Sequence, residues 1–394
     1  MNIAIIDADL IYRVKHRFPN LACMKLSAYY KSQNHNVYLK TDYDSLDQYD
    51  RVFISKVFTD TMVPDGVLDL PNVEYGGTGF FYDKAPKLQD EIEHIMPDYH
   101  LYDEWINDKL NEGSEGDENE DDKLARIAKR RKDFTYYLDY SIGFLTRGCF
   151  RQCEFCVNKN YKKCEIHSPV LEFMDESRPK LCFLDDNFFA CPQWKELITE
   201  VKATGKRFQF KQGLDERLLT DEKMQELMTW KYDGDYIFAF DNIDDRNIVE
   251  EKAHLIRRYN KSLGQNLKFY VLCGFDRNDK YDSDFWNKDI NDIFERIFIL
   301  AKYNFKPYIM RFEKYKESPL YGTYVNIACW CNTPSLFNNH SYEEFCRKDD
   351  ARKSGGQGTS ATWRYYKQFL EFNPECRKYF SVTPRDVRED YSKW

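Results

Sequence analysis

Three cysteines in one short stretch carry the clearest chemistry in the sequence. Within GFLTRGCFRQCEFCVNKN, residues 143–160, Cys149, Cys153 and Cys156 stand in a CxxxCxxC spacing. Three thiolates on one tight loop can each hold a different iron of a [4Fe–4S] cube, and the fourth iron stays open to a ligand that is not protein. A closed zinc or ferredoxin-type site wants a fourth protein ligand at similar spacing. Cys164 and His167 stand near enough in sequence to keep that alternative open. Cys329, Cys331 and Cys346 form a looser C-x-C…C group, readable as an auxiliary cluster or as buried small hydrophobes.

The loop needs a rigid frame, and the apolar patterning supplies one. Ser141–Leu145 reads as a strand leading into it. Further strands are expected at Lys180–Leu184, Phe208–Lys211, Tyr236–Phe240, Lys268–Leu272 and Tyr308–Arg311. Helical stretches at Gln193–Ala203, Asp221–Thr229, Ile248–Tyr259 and Asp289–Tyr303 separate several of them. Six such units suggest an open, partial (β/α)6 barrel over 139–315, with chemistry at the strand C-termini. Ahead of it, strands at Met1–Ile6, Asn36–Leu39, Arg51–Ile54 and Val73–Tyr75, with a helix at Asn20–Lys31, predict a Rossmann-like parallel domain over 1–110. Residues 111–138 read as a linker, acidic in EGSEGDENEDDKL and then basic in ARIAKRRKDF. Residues 316–394 form a mixed C-terminal extension, in which the glycine-containing Gly355–Arg364 reads as a lid or a surface loop. The fold class expected is therefore α/β throughout.

The cysteine loop resembles the signature of the radical S-adenosylmethionine (SAM) superfamily, which has an aromatic residue before the last cysteine, here Phe155. LCFLDDNFFA (181–190), FKQGLDERLLT (210–220), FAFDN (238–242), FYVLCGFD (269–276) and YIMRF (308–312) are similar to the later barrel strands of a subgroup with an N-terminal cobalamin-binding-like domain. The resemblance covers most of residues 1–330. It implies that SAM chelates the open iron through its amino and carboxylate groups. One electron then splits a carbon–sulfur bond and releases methionine and a 5′-deoxyadenosyl radical, which abstracts hydrogen from the substrate. Phe155 would lie near the adenine. Asp185, Asp186 and Asn187 end the second barrel strand, where family members bind the methionine ammonium, usually with a Gly-Gly-Glu-like segment that this chain lacks. One of the two aspartates would accept from that ammonium, or cap a helix instead. Gln212, Asp215 and Arg217 end the third strand as candidates for ribose or carboxylate contacts, or as an internal ion pair. Asp241, Asp276 and Arg311 are further candidates for SAM or substrate contact. No residue is assigned as catalytic.

The loop after the first strand contains His16 but not the DxHxxG spacing that supplies a cobalamin histidine, and Asp98-Tyr99-His100 continues without its glycine. On this ground no cobalamin is expected. The expected substrate is a small organic or nucleoside-like molecule, and one form of the reaction is a carbon–nitrogen lyase step releasing a modified base such as queuine. A peptide-modifying radical enzyme is the alternative, and a non-enzymatic iron–sulfur or zinc protein is the alternative of another class. An electron donor such as flavodoxin or ferredoxin is an expected partner.

Composition narrows the setting. The chain has 394 residues, 42% hydrophobic and 31% charged, which excludes a wholly disordered or coiled-coil protein. The 58 basic and 66 acidic residues give a net charge of −8, so stable nucleic-acid binding is not expected. No apolar run approaches the ~20 residues of a membrane span. With no secretory signal, twelve cysteines point to a reducing cytoplasm rather than a disulfide scaffold.

Overall fold

A continuous apolar run in the first strand, Ile3–Ile6, decides the architecture of the N-terminal part. In the computed structural model, which describes residues 1–113, 119–159, 161–259 and 267–390, β1 (Asn2–Asp7), β2 (Asn36–Lys40), β3 (Arg51–Ser55) and β4 (Val73–Gly76) form a parallel sheet in the order β2-β1-β3-β4. Ile3 and Ile5 pack with Met24, Leu26 and Tyr30 of helix Leu21–Ser32 on one face, while Ala4 and Ile6 pack with Val52 and Ile54 on the other. Burial of both faces is the usual state of a parallel sheet. Asn20 starts the helix by accepting from Ala22 N (3.1 Å) and Cys23 N (3.3 Å).

The chain divides into two compact units, 1–211 and 212–394. In the first, β5 (Tyr140–Gly143), β8 (Lys180–Phe183) and β9 (Arg207–Phe210) form a second parallel sheet, β5-β8-β9, and β6 (Thr146–Arg147) pairs antiparallel with β7 (Glu165–Ile166). Two buried side chains tie this sheet to what precedes it. The Tyr99 hydroxyl accepts from Ile142 N (2.8 Å) and donates to Phe173 O (2.7 Å). Arg178 donates to the carbonyls of Tyr137 (2.6 Å), Tyr140 (3.2 Å) and Tyr99 (3.0 Å). The basic stretch of the predicted linker lies in helix Glu120–Arg131, with three acids in its first turn and Lys129, Arg130 and Arg131 in its last, as the helix dipole favours. Arg126 and Arg130 donate to the carbonyls of Leu110 and Lys109, both at 3.0 Å. Residues 114–118 of the acidic stretch lie outside the described residues.

The second unit holds β10 (Tyr236–Ala239), β11 (Leu267–Cys273) and β12 (Lys306–Arg311) as a parallel sheet, β10-β11-β12. The mixed α/β class with parallel sheets is as expected. The six barrel-type strands are thus three in each unit. Helix Ser283–Lys302 begins six residues before the predicted start because Asp282 caps it, accepting from Phe285 N at 2.8 Å. The C-terminal extension is helical, with helices Tyr321–Cys331, Tyr342–Ser354 and Ala361–Phe372 around buried Trp330, Tyr342, Phe369 and Phe380. Its glycine segment is pinned: Asp350 accepts from Gly358 N (2.8 Å) and Ser360 N (2.9 Å). Among the described residues no helix is long and apolar enough to cross a membrane.

Candidate functional site

The loop between β5 and β8 is built from its base upward. The β6–β7 pair closes it, with Thr146 opposite Ile166 and Arg147 opposite Glu165. Gly148 then turns at φ +99°, and a Cβ there would stand 2.1 Å from the Lys163 carbonyl oxygen, so only glycine fits. Gln152 donates to the carbonyls of Cys149 (3.0 Å) and Tyr161 (2.6 Å), and Lys159 donates to Cys153 O. These bonds draw residues 149–153 against Lys159 and Tyr161 and fix where the cysteines stand.

Two aspartates at the end of β8 hold this loop from below. Asp185 is fully buried; it accepts from Leu145 N (3.1 Å), Thr146 N (2.7 Å) and Thr146 Oγ1 (2.7 Å). Burial pushes its carboxyl up to about 7 against these three donors. Asp186, half-buried, accepts from Gly148 N (2.8 Å), and burial raises its carboxyl too. Asn187 donates to Cys149 Sγ at 3.4 Å. The three residues expected to face SAM therefore all touch the cysteine loop.

Cys149, Cys153 and Cys156 are half-buried and in no disulfide. Backbone N–H groups of Arg151 and Asn158 reach Cys149 Sγ (3.5 Å) and Cys156 Sγ (3.4 Å). Hydrogen bonds to sulfur of this kind stabilise thiolate charge and tune clusters. Cys164 faces elsewhere: its thiol donates to Asn187 O (3.3 Å), and burial pushes it up to about 12. His167 is engaged by Glu93 (3.2 Å) and Ser168 Oγ (2.9 Å). Neither joins the three thiols as a fourth ligand. Among the described residues, no three His, Cys, Asp or Glu side chains converge on a single-ion site. A cube takes three thiolates on three different irons, whereas a closed zinc site takes four ligands on one ion. Phe155 is half-buried beside Cys156, and its carbonyl accepts from the Tyr82 hydroxyl at 2.9 Å. Asn160 lies outside the described residues.

The second unit places the other predicted residues apart in role. Gln212 is exposed. Asp215 accepts from Arg217 Nε at 2.8 Å, and Arg217 also reaches Asp245 at 3.4 Å, which is the internal ion pair weighed above. Asp241 accepts from Leu272 N at 3.3 Å, with its carboxyl raised by burial although Arg296 opposes this. Asp276 closes its own loop, accepting from Asn278 N (3.0 Å) and Lys280 N (3.0 Å). Arg311 is exposed and lies over the Tyr315 ring at 4.6 Å. Cys331 and Cys346 are buried, as small hydrophobes are, while Cys329 is exposed.

Three features escape sequence reading. Glu216, between two predicted site residues, is 2% exposed and accepts from Ala239 N (3.2 Å); burial, with Asp215 adding to it, pushes its carboxyl up to about 8. Arg296 donates to the carbonyls of Phe240 (2.8 Å), Asp241 (2.9 Å) and Leu272 (2.9 Å) at the ends of β10 and β11. Half-buried Asp289 accepts from Gly274 N and the Tyr324 hydroxyl, both at 2.7 Å. A charged residue on a helix face carries no signal that it will turn inward.

No protein-family model matches the chain, and no curated protein matches it. Two of the solved structures similar to it are of one enzyme. One is the apo, selenomethionine-labelled form of the cobalamin-dependent S-adenosylmethionine radical enzyme OxsB, with 13% identity and a TM-score of 0.37. The other is the same enzyme with aqua-cobalamin bound, with 12% identity and a TM-score of 0.32. Each match covers 100% of this chain and 60% of the other, so the chain spans about 60% of the length of these structures. OxsB is of the superfamily that the Cys149–Cys156 loop resembles. The expectation of no cobalamin is corrected on this finding, since both neighbours are of a cobalamin-dependent enzyme and one holds aqua-cobalamin. The physical reason is that the DxHxxG spacing bears on a single histidine only. It says nothing about contacts to the rest of so large a cofactor.

Proposed function

We propose that this chain is a radical SAM enzyme acting on a small organic or nucleoside-like substrate. The carrying observation is the set of three disulfide-free thiols on a loop pinned by Asp185, Asp186 and the β6–β7 pair. A [4Fe–4S] cluster held there would supply reductive cleavage of SAM to a 5′-deoxyadenosyl radical. Cys149, Cys153 and Cys156 would hold it. Asp185 keeps the loop base in place, and its oxygens are spent on doing so. Asp186 is then the better placed of the two to meet the methionine ammonium, and Phe155 would pack by the adenine. In the second unit, Gln212 and Arg311 are the predicted residues with exposed side chains.

The test is anaerobic reconstitution followed by reduction with SAM. About four irons should bind, and 5′-deoxyadenosine should form. Alanine at Cys149, Cys153 or Cys156 should abolish both, whereas Cys164→Ala should keep both. Full SAM cleavage by Cys153→Ala would overturn the reading, and loss of iron in Cys164→Ala would restore a four-ligand site. Turnover with nucleosides and with peptides, read by mass spectrometry, separates release of a modified base such as queuine from peptide modification.

A further inference from the structure

The sheet β5-β8-β9 has two unlike faces, because side chains along a strand alternate. On one face Phe183, Phe208 and Phe210 pack together, and Phe188 and Phe189 continue that packing to Trp194 of helix Trp194–Ala203. On the other face Tyr140, Ile142 and Cys182 form a small buried cluster, with Phe18, Tyr136 and Leu184 packed against it. Gln209 stands opposite Cys182 in register, so Gln209 and, two residues on, Lys211 belong to this second face. Its polar groups meet at one point. Lys211 Nζ donates to the Tyr136 hydroxyl at 2.8 Å, and the Gln209 amide lies on the same oxygen, with Nε2 at 3.2 Å and Oε1 at 3.4 Å. The Lys211 ammonium lies 4.1 Å from the centroid of the Tyr136 ring and 5.3 Å from that of Phe18. Gln209 is 9% exposed, and Lys211 and Tyr136 are half-buried.

Among the described residues Lys211 has no carboxylate partner, and its one hydrogen bond goes to Tyr136. An ammonium drawn partly out of water without a counter-ion costs stability, and an arriving anion offsets that cost. Lysines usually extend their charge into water. This one is turned back onto a phenol and two aromatic faces, which attract a cation without neutralising it. Lys211 N donates to Phe183 O at 2.8 Å, which puts the residue at the C-terminal end of its strand, next to the strand that ends in Asp185 and Asp186. Ligands of parallel α/β sheets bind at that edge. We propose that Lys211, with Tyr136 and Gln209 beside it, binds an oxyanion, a carboxylate or phosphate group, on the substrate. Calling that ligand the substrate rests on the radical SAM reading of the cysteine loop; the oxyanion site itself does not. The Tyr136 O–H proton, held only by the 3.4 Å contact to Gln209 Oε1, turns to the oxyanion as a second donor. A substrate without such a group leaves the ammonium uncompensated.

The experiment titrates the full, cluster-loaded chain by calorimetry with benzoate, inorganic phosphate, the neutral analogue benzamide, and SAM. At least one of the two oxyanions should bind the wild type, and which one binds tells a carboxylate from a phosphate. Its Kd should rise at least about tenfold in Lys211→Met, as loss of a charge-assisted hydrogen bond implies. The rise should be smaller in Lys211→Arg, which keeps the charge, and in Tyr136→Phe, which keeps the ring. The same oxyanion should raise the urea midpoint of the wild type but not of Lys211→Met, because a ligand stabilises only the fold that binds it. Lys211→Gln carries the same comparison if the methionine variant loses its fold. SAM should bind wild type and Lys211→Met alike. No binding of either oxyanion by the wild type, equal Kd in wild type and Lys211→Met, or benzamide binding as tightly as benzoate would each overturn the proposal. So would a SAM affinity that falls in Lys211→Met, which would give the ammonium to the SAM carboxylate. Absence of SAM cleavage by the reduced wild type would overturn the functional reading instead, and the oxyanion titrations would still report on Lys211.

Discussion

Asp185→Asn separates the two things that this side chain does. The carboxyl is fully buried and takes three donors, two backbone N–H groups and the Thr146 hydroxyl. The amide oxygen of Asn can keep Thr146's two donors, but its NH2 then faces Leu145 N–H. One buried donor without a partner costs about 1–3 kcal/mol. Against this stands the cost of charging the buried carboxyl. Its folded value is about 7 against an ordinary 3.8, and a difference of about three units corresponds to about 4 kcal/mol. The folded value is the raised one. The contribution to stability is therefore complete below about pH 4 and is lost as pH rises towards 7, where the folded carboxyl ionises. Wild type should thus lose about 2–3 kcal/mol relative to Asp185→Asn between pH 5 and pH 7.5, and the difference should be flat above that. Asp7 is also pushed up to about 7 by burial, so the difference between the two proteins, and not the wild-type curve alone, isolates Asp185. The assay is urea unfolding of the cluster-free chain, followed by circular dichroism at several pH values. At pH 4 the variant should be the weaker protein; by pH 8 the order should reverse. A difference that stays constant with pH would refute the reasoning, because it would mean that the three donors keep the carboxylate ionised throughout.

Two further changes test the frame around the cysteines. Gly148→Ala should lower iron incorporation severalfold, read by iron analysis after reconstitution, because a Cβ 2.1 Å from Lys163 O forces the loop apart and a positive φ adds about 1–2 kcal/mol of strain. Tyr99→Phe should destabilise the first unit by about 2 kcal/mol, read as a drop in the urea midpoint, because Ile142 N–H is left buried without its acceptor. An unchanged midpoint would show that a water or a backbone shift replaces the hydroxyl.

The sequence by itself determined the spacing of Cys149, Cys153 and Cys156 on one short loop and the α/β class. Both are local properties. Ligand spacing is a matter of a few residues, and the continuous apolar run Ile3–Ile6 marks a strand buried on both faces wherever it ends up. It also located Asp185 and Asp186 at the end of a strand. What it left open was which of several acidic groups would be spent on structure. Asp215 pairs with Arg217, Asp276 closes its own loop, and Asp185 carries the loop base. Each of these outcomes depends on donors brought from elsewhere in the chain, and hydrogen bonds of that kind have no sequence period. The first C-terminal helix was hidden for a related reason. In Tyr321–Cys331 residues are buried on several sides, as Tyr324 and Trp330 are, so no polar face marks that helix in advance. Glu216 was unreadable because only tertiary packing could take its carboxyl out of water, and desolvation, not residue type, is what moved its titration to about 8.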